Sequence, residues 1–126
     1  EERVTLADGR ALNALVAGPA KAPKLVFIHG LGGSLGTWQV VLGELVDRYR
    51  VAAIDLPGHG ASDKRDPAAT DYTPPGLAAA AAEAIHALKF GPAAIVGHSL
   101  GGAVAVLLAL DHPDVVSSLV LVNSAG

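Results

Sequence analysis

Cysteine and methionine are absent from the 126 residues, and aromatic side chains make up only 4% of them. Without cysteine there is no disulfide framework, no thiolate nucleophile and no zinc site built on sulfur, which suits a reducing compartment. No run of eighteen apolar residues is present to span a bilayer, and Glu1-Glu2-Arg3 lack the apolar stretch of a signal peptide. Nine Lys and Arg against twelve Asp and Glu give a net charge of -3, which provides no basic footprint for a nucleic-acid backbone or an anionic membrane. These exclusions predict a single cytoplasmic domain over residues 1–126 that acts on a small molecule, with no nucleic-acid or membrane partner. A chain of this length buries about two thirds of its unfolded surface, enough for one core but not for two. It lacks an initiator Met and ends on Ser124-Ala125-Gly126, so it reads as a piece of something longer.

What is present is a regular alternation of elements. Val4 to Leu6 and Ala11 to Val16 flank Ala7-Asp8-Gly9-Arg10, and Asp-Gly between β-type segments signals a hairpin. After a loop over Gly18 to Lys24, strands are expected at Leu25 to Ile28, Val51 to Ile54, Ala93 to Val96 and Leu119 to Val122. Helices are expected between them at Thr37 to Tyr49, Leu77 to Leu88 and Leu100 to Leu110. Such alternation means right-handed crossovers and a parallel sheet covered on both faces, and the solidly apolar strands agree. Trp38, Val41, Leu42, Leu45, Val46 and Tyr49 form an amphipathic stripe, as do Leu77, Ala81, Ala84, Ile85 and Leu88. The stretch from Leu100 to Leu110 is apolar all round and is expected to be enclosed. Gly60 to Pro75 mixes Asp, Lys, Arg, Pro and Thr and reads as a surface loop.

The chemistry concentrates in Ile95-Val96-Gly97-His98-Ser99-Leu100-Gly101-Gly102, where a buried strand turns into a helix through a G-x-S-x-G pattern. A serine on such a turn has a strained backbone, tolerable only where Gly97 and Gly101 leave room. Its hydroxyl then stands over a helix N-terminus, where the Leu100 amide and the helix dipole favour an oxyanion. A second amide donor is expected from Leu31, since His29-Gly30-Leu31-Gly32-Gly33 follows a strand of the same sheet and reaches the same edge.

H-G-L-G-G at 29–33, D-L-P-G-H-G-A-S at 55–62 and G-H-S-L-G-G at 97–102, in that order, resemble the α/β-hydrolase superfamily, in particular its esterases and hydrolases with an H-G-x-G oxyanion loop. The segment at 111–124 is similar to the family's next helix end and strand. The resemblance implies an N-terminal hairpin joined to a mostly parallel sheet in the order 1-2-4-3-5-6, with helices on both faces. It implies Ser99 as the catalytic nucleophile and Leu31 and Leu100 as the oxyanion amides, with Gly97, His98, Gly101, His29 and Gly30 supporting the elbow and loop. No metal or organic cofactor is expected. The family orders its residues serine, acid, histidine, and only residues 100–126 follow the serine here. Asp111 and His112 close a helix of about eleven residues, about 16 Å long, and cannot return to Ser99. The chain therefore reads as the N-terminal part of a hydrolase core, truncated after the sixth strand, without the catalytic acid, the histidine or the cap.

Other polar residues have plainer readings. His98 is assigned to packing, His29 to fixing its loop, His59 to turn structure and His86 to the surface. Asp55 is expected to order the turn containing Gly58 and Gly60 rather than to act in catalysis. Trp38 is expected in the core. Gly30 to Gly36 lacks the third glycine of a dinucleotide loop, Leu35 standing in its place, and a P-loop lysine is also missing. The expected activity is hydrolysis of an ester or related acyl bond through an acyl-serine. Two alternatives remain: an inactive ligand-binding or assembly module of hydrolase shape, and an acyltransferase using the same elbow. An apolar edge at Leu119 to Val122 should be covered, by a complementary C-terminal segment or by self-association.

Overall fold

The computed structural model describes residues 2–65 and 71–122. Residues 66–70 of the expected surface loop and 123–124 of the last motif lie outside these.

Strands β1 (Glu2–Thr5) and β2 (Ala11–Ala17) form the opening antiparallel hairpin, with Val4 opposite Leu12. Parallel strands follow at β3 (Lys24–Ile28), β4 (Arg50–Ile54), β5 (Ala93–His98) and β6 (Val116–Val122). The sheet order is β1-β2-β4-β3-β5-β6, as the resemblance implied, with β2 antiparallel to β4. The polar pair Ser117-Ser118 hides the start of β6 from a search for apolar runs, so that strand begins three residues earlier than expected.

The central strands separate their side chains onto two faces with the two-residue period of a pleat. Val26, Ile28, Ala52 and Ile54 face α2 (Pro74–Ala87) and α3 (Leu100–Asp111), whereas Phe27, Val51 and Ala53 face Trp38 and Leu42. Alanine dominates the buried side of α2, where Ala78, Ala81 and Ala84 are fully enclosed. Small side chains let this helix lie close on the sheet, at no cost in helix propensity. It starts earlier than its apolar stripe suggested, because Thr73 caps it and Pro74 and Pro75 occupy positions where a missing N–H is harmless.

Two expectations are corrected. The helix foreseen over Thr37 to Tyr49 is a short 3-10 segment at Leu35–Trp38 followed by α1 (Gln39–Leu45), and Val41 is exposed. α3 is not fully enclosed. Gly101, Val104, Ala105 and Leu108 are buried, but Leu110 is 70% exposed and Val106 and Leu107 are half-buried. Likewise β6 has one paired edge and exposed side chains from Ser117 to Val122. Among the described residues no helix is long and apolar enough to cross a membrane.

Candidate active site

Ser99 occupies the single-residue turn between β5 and α3, with φ 57° and ψ −118°. A non-glycine residue in this region carries strain on the order of 1–3 kcal/mol that its surroundings must enforce. The enforcement comes from two close backbone approaches. A Cβ on Gly97 would lie 2.3 Å from the Gly101 carbonyl oxygen, and a Cβ on Gly101 would lie 2.2 Å from that of Ile28. Strand β5, helix α3 and strand β3 thus meet at distances that only glycine permits, and the chain between them must bend sharply at residue 99. The Ser99 amide donates to Val122 O at 3.2 Å, and Ser99 O accepts the amides of Gly102 and Ala103 at 2.8 and 3.3 Å. The main chain of the elbow is therefore anchored, while its hydroxyl makes no capping bond to the helix.

The loop after β3 closes over this elbow. Gly30 lies against it so tightly that a Cβ there would come within 3.2 Å of Ser99 Cβ and 3.3 Å of His98 Nδ1. Leu31 follows, 78% exposed. Neither its amide nor that of Leu100, the first residue of α3, donates to a backbone oxygen among the described residues. The Leu100 amide follows the serine directly, at the positive end of α3, and Leu31 follows the glycine that packs on the elbow.

The contacts of four histidines are structural. His29 is fully buried: its Nε2 accepts the Leu56 amide at 3.0 Å, so Nδ1 carries the proton and donates to Gly30 O at 2.7 Å. Burial holds its pKa below the usual histidine value of 6.5, with His59 acting in the same direction and the Gly30 bond and Asp55 opposing. His59 donates from Nδ1 to Pro57 O at 3.0 Å, and its ring lies 4.9 Å from that of His29. The His98 ring meets Trp38 edge-on at 6.3 Å, and Trp38 stacks obliquely on Phe27 at 5.1 Å in the core. His86 is on the surface, 2.8 Å from Asp114 Oδ2. Asp111 and His112 end α3, about 18 Å from its start.

Asp55 closes the turn after β4. Its Oδ2 accepts Asn13 Nδ2 at 3.1 Å and the Ala61 amide at 2.9 Å, and Gly60 packs directly on its carboxyl group. Ser62 extends this network, donating to Asp55 O at 2.6 Å and accepting the Asn13 amide at 2.8 Å.

A cavity of about 380 Å³ opens beside the elbow, large enough for a small-molecule ligand. Its lining comes from Leu31, Leu77 and Leu100, from Tyr72, and from Gly58, His59, Lys64 and Arg65. In the sequence, Tyr72, Lys64 and Arg65 stand only as part of a polar surface loop. The signal was faint: one aromatic in an otherwise polar stretch, beside two adjacent cations.

Residues 23–125 match the family model described as alpha/beta hydrolase fold. Over 105 residues the chain is 42% identical to the dihydrolipoyllysine-residue acetyltransferase component of an acetoin cleaving system from Cupriavidus necator, covering 83% of this chain and 27% of that protein. Over 115 residues it is 34% identical to a serine hydrolase-like protein from Danio rerio, covering 91% of this chain and 35% of that one. A membrane phospholipase A described as a bacterial virulence factor superposes with a TM-score of 0.92 at 35% identity, over 100% of this chain and 40% of that one. The chain thus spans between about a quarter and two fifths of the length of these three proteins.

Proposed function

The chain belongs to the alpha/beta hydrolase family, and we propose that within it Ser99 is the nucleophile of an ester or acyl-bond hydrolase. The observation that carries this reading is the backbone of Ser99, held at φ 57° by contacts that Gly97 and Gly101 alone allow. A protein that only binds a ligand has no use for such strain.

In the proposed reaction Ser99 Oγ attacks the carbonyl carbon while its proton passes to a base. The carbonyl oxygen gains the negative charge and is held by the Leu31 and Leu100 amides. Collapse expels the alcohol, which takes the proton, and water then releases the acid from the acyl-serine. No histidine or carboxylate hydrogen-bonds to Ser99 Oγ among the described residues, so we assign the base and its orienting acid to residues outside this chain. A cytoplasmic site of action belongs to the same proposal, supported by a composition that needs no oxidising compartment.

The test is reaction with a neutral alkyl fluorophosphonate, read by mass spectrometry of the peptides. Oxyanion stabilisation alone retains about 10³–10⁴ of a serine enzyme's acceleration, so Ser99 should be labelled well ahead of the exposed Ser117 and Ser118. Indiscriminate labelling of all three would remove the nucleophile reading. A second reading, acyl transfer, is favoured by the 42% identity to the acetyltransferase component, and partition of an acylated Ser99 between water and an added alcohol or thiol separates the two.

A further inference from the structure

The burial of the residues that line the cavity beside the elbow gives it a depth. Leu31, Lys64 and Arg65 are exposed, whereas Leu77, equally part of the lining, is 2% exposed. A side chain so enclosed borders a cavity only at its inner end, so the exposed three mark the mouth and Leu77 the floor. Leu100, half-buried and next to Ser99 in the chain, joins the cavity to the elbow.

The floor is fixed. Leu77 belongs to the main core cluster, its amide donates to Thr73 O at 2.9 Å, and the Thr73 side chain caps the helix one turn earlier. Tyr72 is fixed as well: Oη accepts the Arg65 amide and donates to Arg65 O, each at 2.7 Å, and a Cβ on Gly58 would meet Cε1 of its ring at 2.9 Å. The polar groups of the lining are engaged with the protein itself. Besides the Tyr72 hydroxyl, His59 donates from Nδ1 to Pro57 O at 3.0 Å, Lys64 Nζ is held by Gly60 O at 2.6 Å, and the Arg65 guanidinium reaches Asp8 O at 3.3 Å. Lys64 and Arg65 stand in water, which leaves leucine side chains and a phenol ring to surround a ligand. The volume of about 380 Å³ is at the lower end of the range for ligand pockets, which suits one short chain.

We propose that the cavity takes the straight aliphatic chain of an ester, its carbonyl at the elbow and its terminal methyl group against Leu77, so that Leu77 sets the chain length accepted. That the chain belongs to an ester rests on the reading of Ser99 as nucleophile. The chain site itself stands on the cavity.

The probes are the straight-chain primary alcohols from 1-butanol to 1-decanol, titrated into the 126-residue chain by NMR, which need no reaction at Ser99 to bind. Affinity should rise about fourfold per methylene and level off within the series, once the methyl group reaches Leu77. In Leu77→Ala that limit should move about two carbons further, with the folded state of the variant checked by its amide spectrum. A second measure needs no variant: nuclear Overhauser effects should connect the methyl group of 1-octanol to the Leu77 methyl groups. Affinity that climbs through the whole series, as adsorption on exposed apolar surface would, overturns the proposal. So does an unmoved limit in the folded variant, or octanol methyl contacts away from Leu77. Fluorophosphonate labelling keeps the two ideas apart. Selective labelling of Ser99 without a chain-length limit removes the chain site alone, and a limit set by Leu77 without labelling leaves the chain site and removes the nucleophile.

Discussion

Leu56 N donates to His29 Nε2 across 3.0 Å and ties the loop after β4 to the loop after β3. The second half of that tie is the proton on Nδ1, which goes to Gly30 O. One neutral imidazole therefore fixes both main-chain segments that border the elbow, and protonating Nε2 would break the Leu56 bond. The histidine is uncharged in the folded protein because burial disfavours the cation.

Its pKa is lower in the folded than in the unfolded chain, so the unfolded state binds more protons as pH falls. This contribution is fully present above the unfolded value of 6.5 and is lost as pH drops below it. Hydrogen bonds from the Arg10 amide, the Ala11 amide and Thr73 hold the Asp8, Asp63 and Asp71 carboxyls below the ordinary value of 3.8, and their contributions disappear only in the more acidic range. The urea midpoint should therefore fall between about pH 7.5 and about pH 5.5, and His29→Gln should flatten that dependence. An unchanged slope in the variant would show that another group is responsible.

Ser99→Gly should stabilise the chain by about 1 kcal/mol, because glycine adopts the strained backbone freely. The melting temperature would rise by several degrees, while fluorophosphonate labelling at this position disappears. A lower melting temperature would mean that the elbow is not strained.

Gly101→Ala should cost about 3 kcal/mol or more, since the added methyl group meets the main chain of β3, which cannot yield as a flexible side chain would. Gly43→Ala in α1 is the counterpart. Nothing lies within 4 Å of its added Cβ, and a gain of about 0.5–1 kcal/mol is expected from helix propensity. Denaturant titration of the two variants side by side measures both.

Strand β6 should drive concentration-dependent association, because Leu119 to Val122 are 36–49% exposed on a strand with a free edge. Lysine at positions 120 and 122 should leave a monomer in sedimentation experiments. Association that persists in Val120→Lys/Val122→Lys would place the contact elsewhere, with the exposed Val40 and Leu110 the next surfaces to alter.

The strands and the elbow were legible because each rests on local chemistry, whereas the strand order followed only from the resemblance to the α/β-hydrolase superfamily. Four-residue apolar runs mark strands buried on both faces, and the glycines at 97 and 101 mark close main-chain approaches. The length of α1 was not. The stripe from Trp38 to Tyr49 continues in the sequence, but Trp38 enters the core from a 3-10 turn and the helix ends at Leu45. Periodicity shows which residues can share a face and not whether the sheet extends far enough to cover them. The exposure of β6 and of the outer side of α3 has the same cause, since apolar composition reports a demand for burial and not the presence of the partner that meets it. Among the charged residues, Asp55 was readable from the glycines that follow it, whereas the placement of Lys64 and Arg65 depends on a clamp from Tyr72, seven residues beyond Arg65, that no short-range pattern reveals.

The amide of Ser99 bonds to Val122 O, the final residue of β6. The close approaches of Gly97 and Gly101 tie the bend to β3 and α3, and this bond ties it in addition to the outermost strand. Hydrogen exchange at that one nitrogen therefore reads out the docking of β6 from inside the elbow, since detaching the strand bares the amide of residue 99 to water.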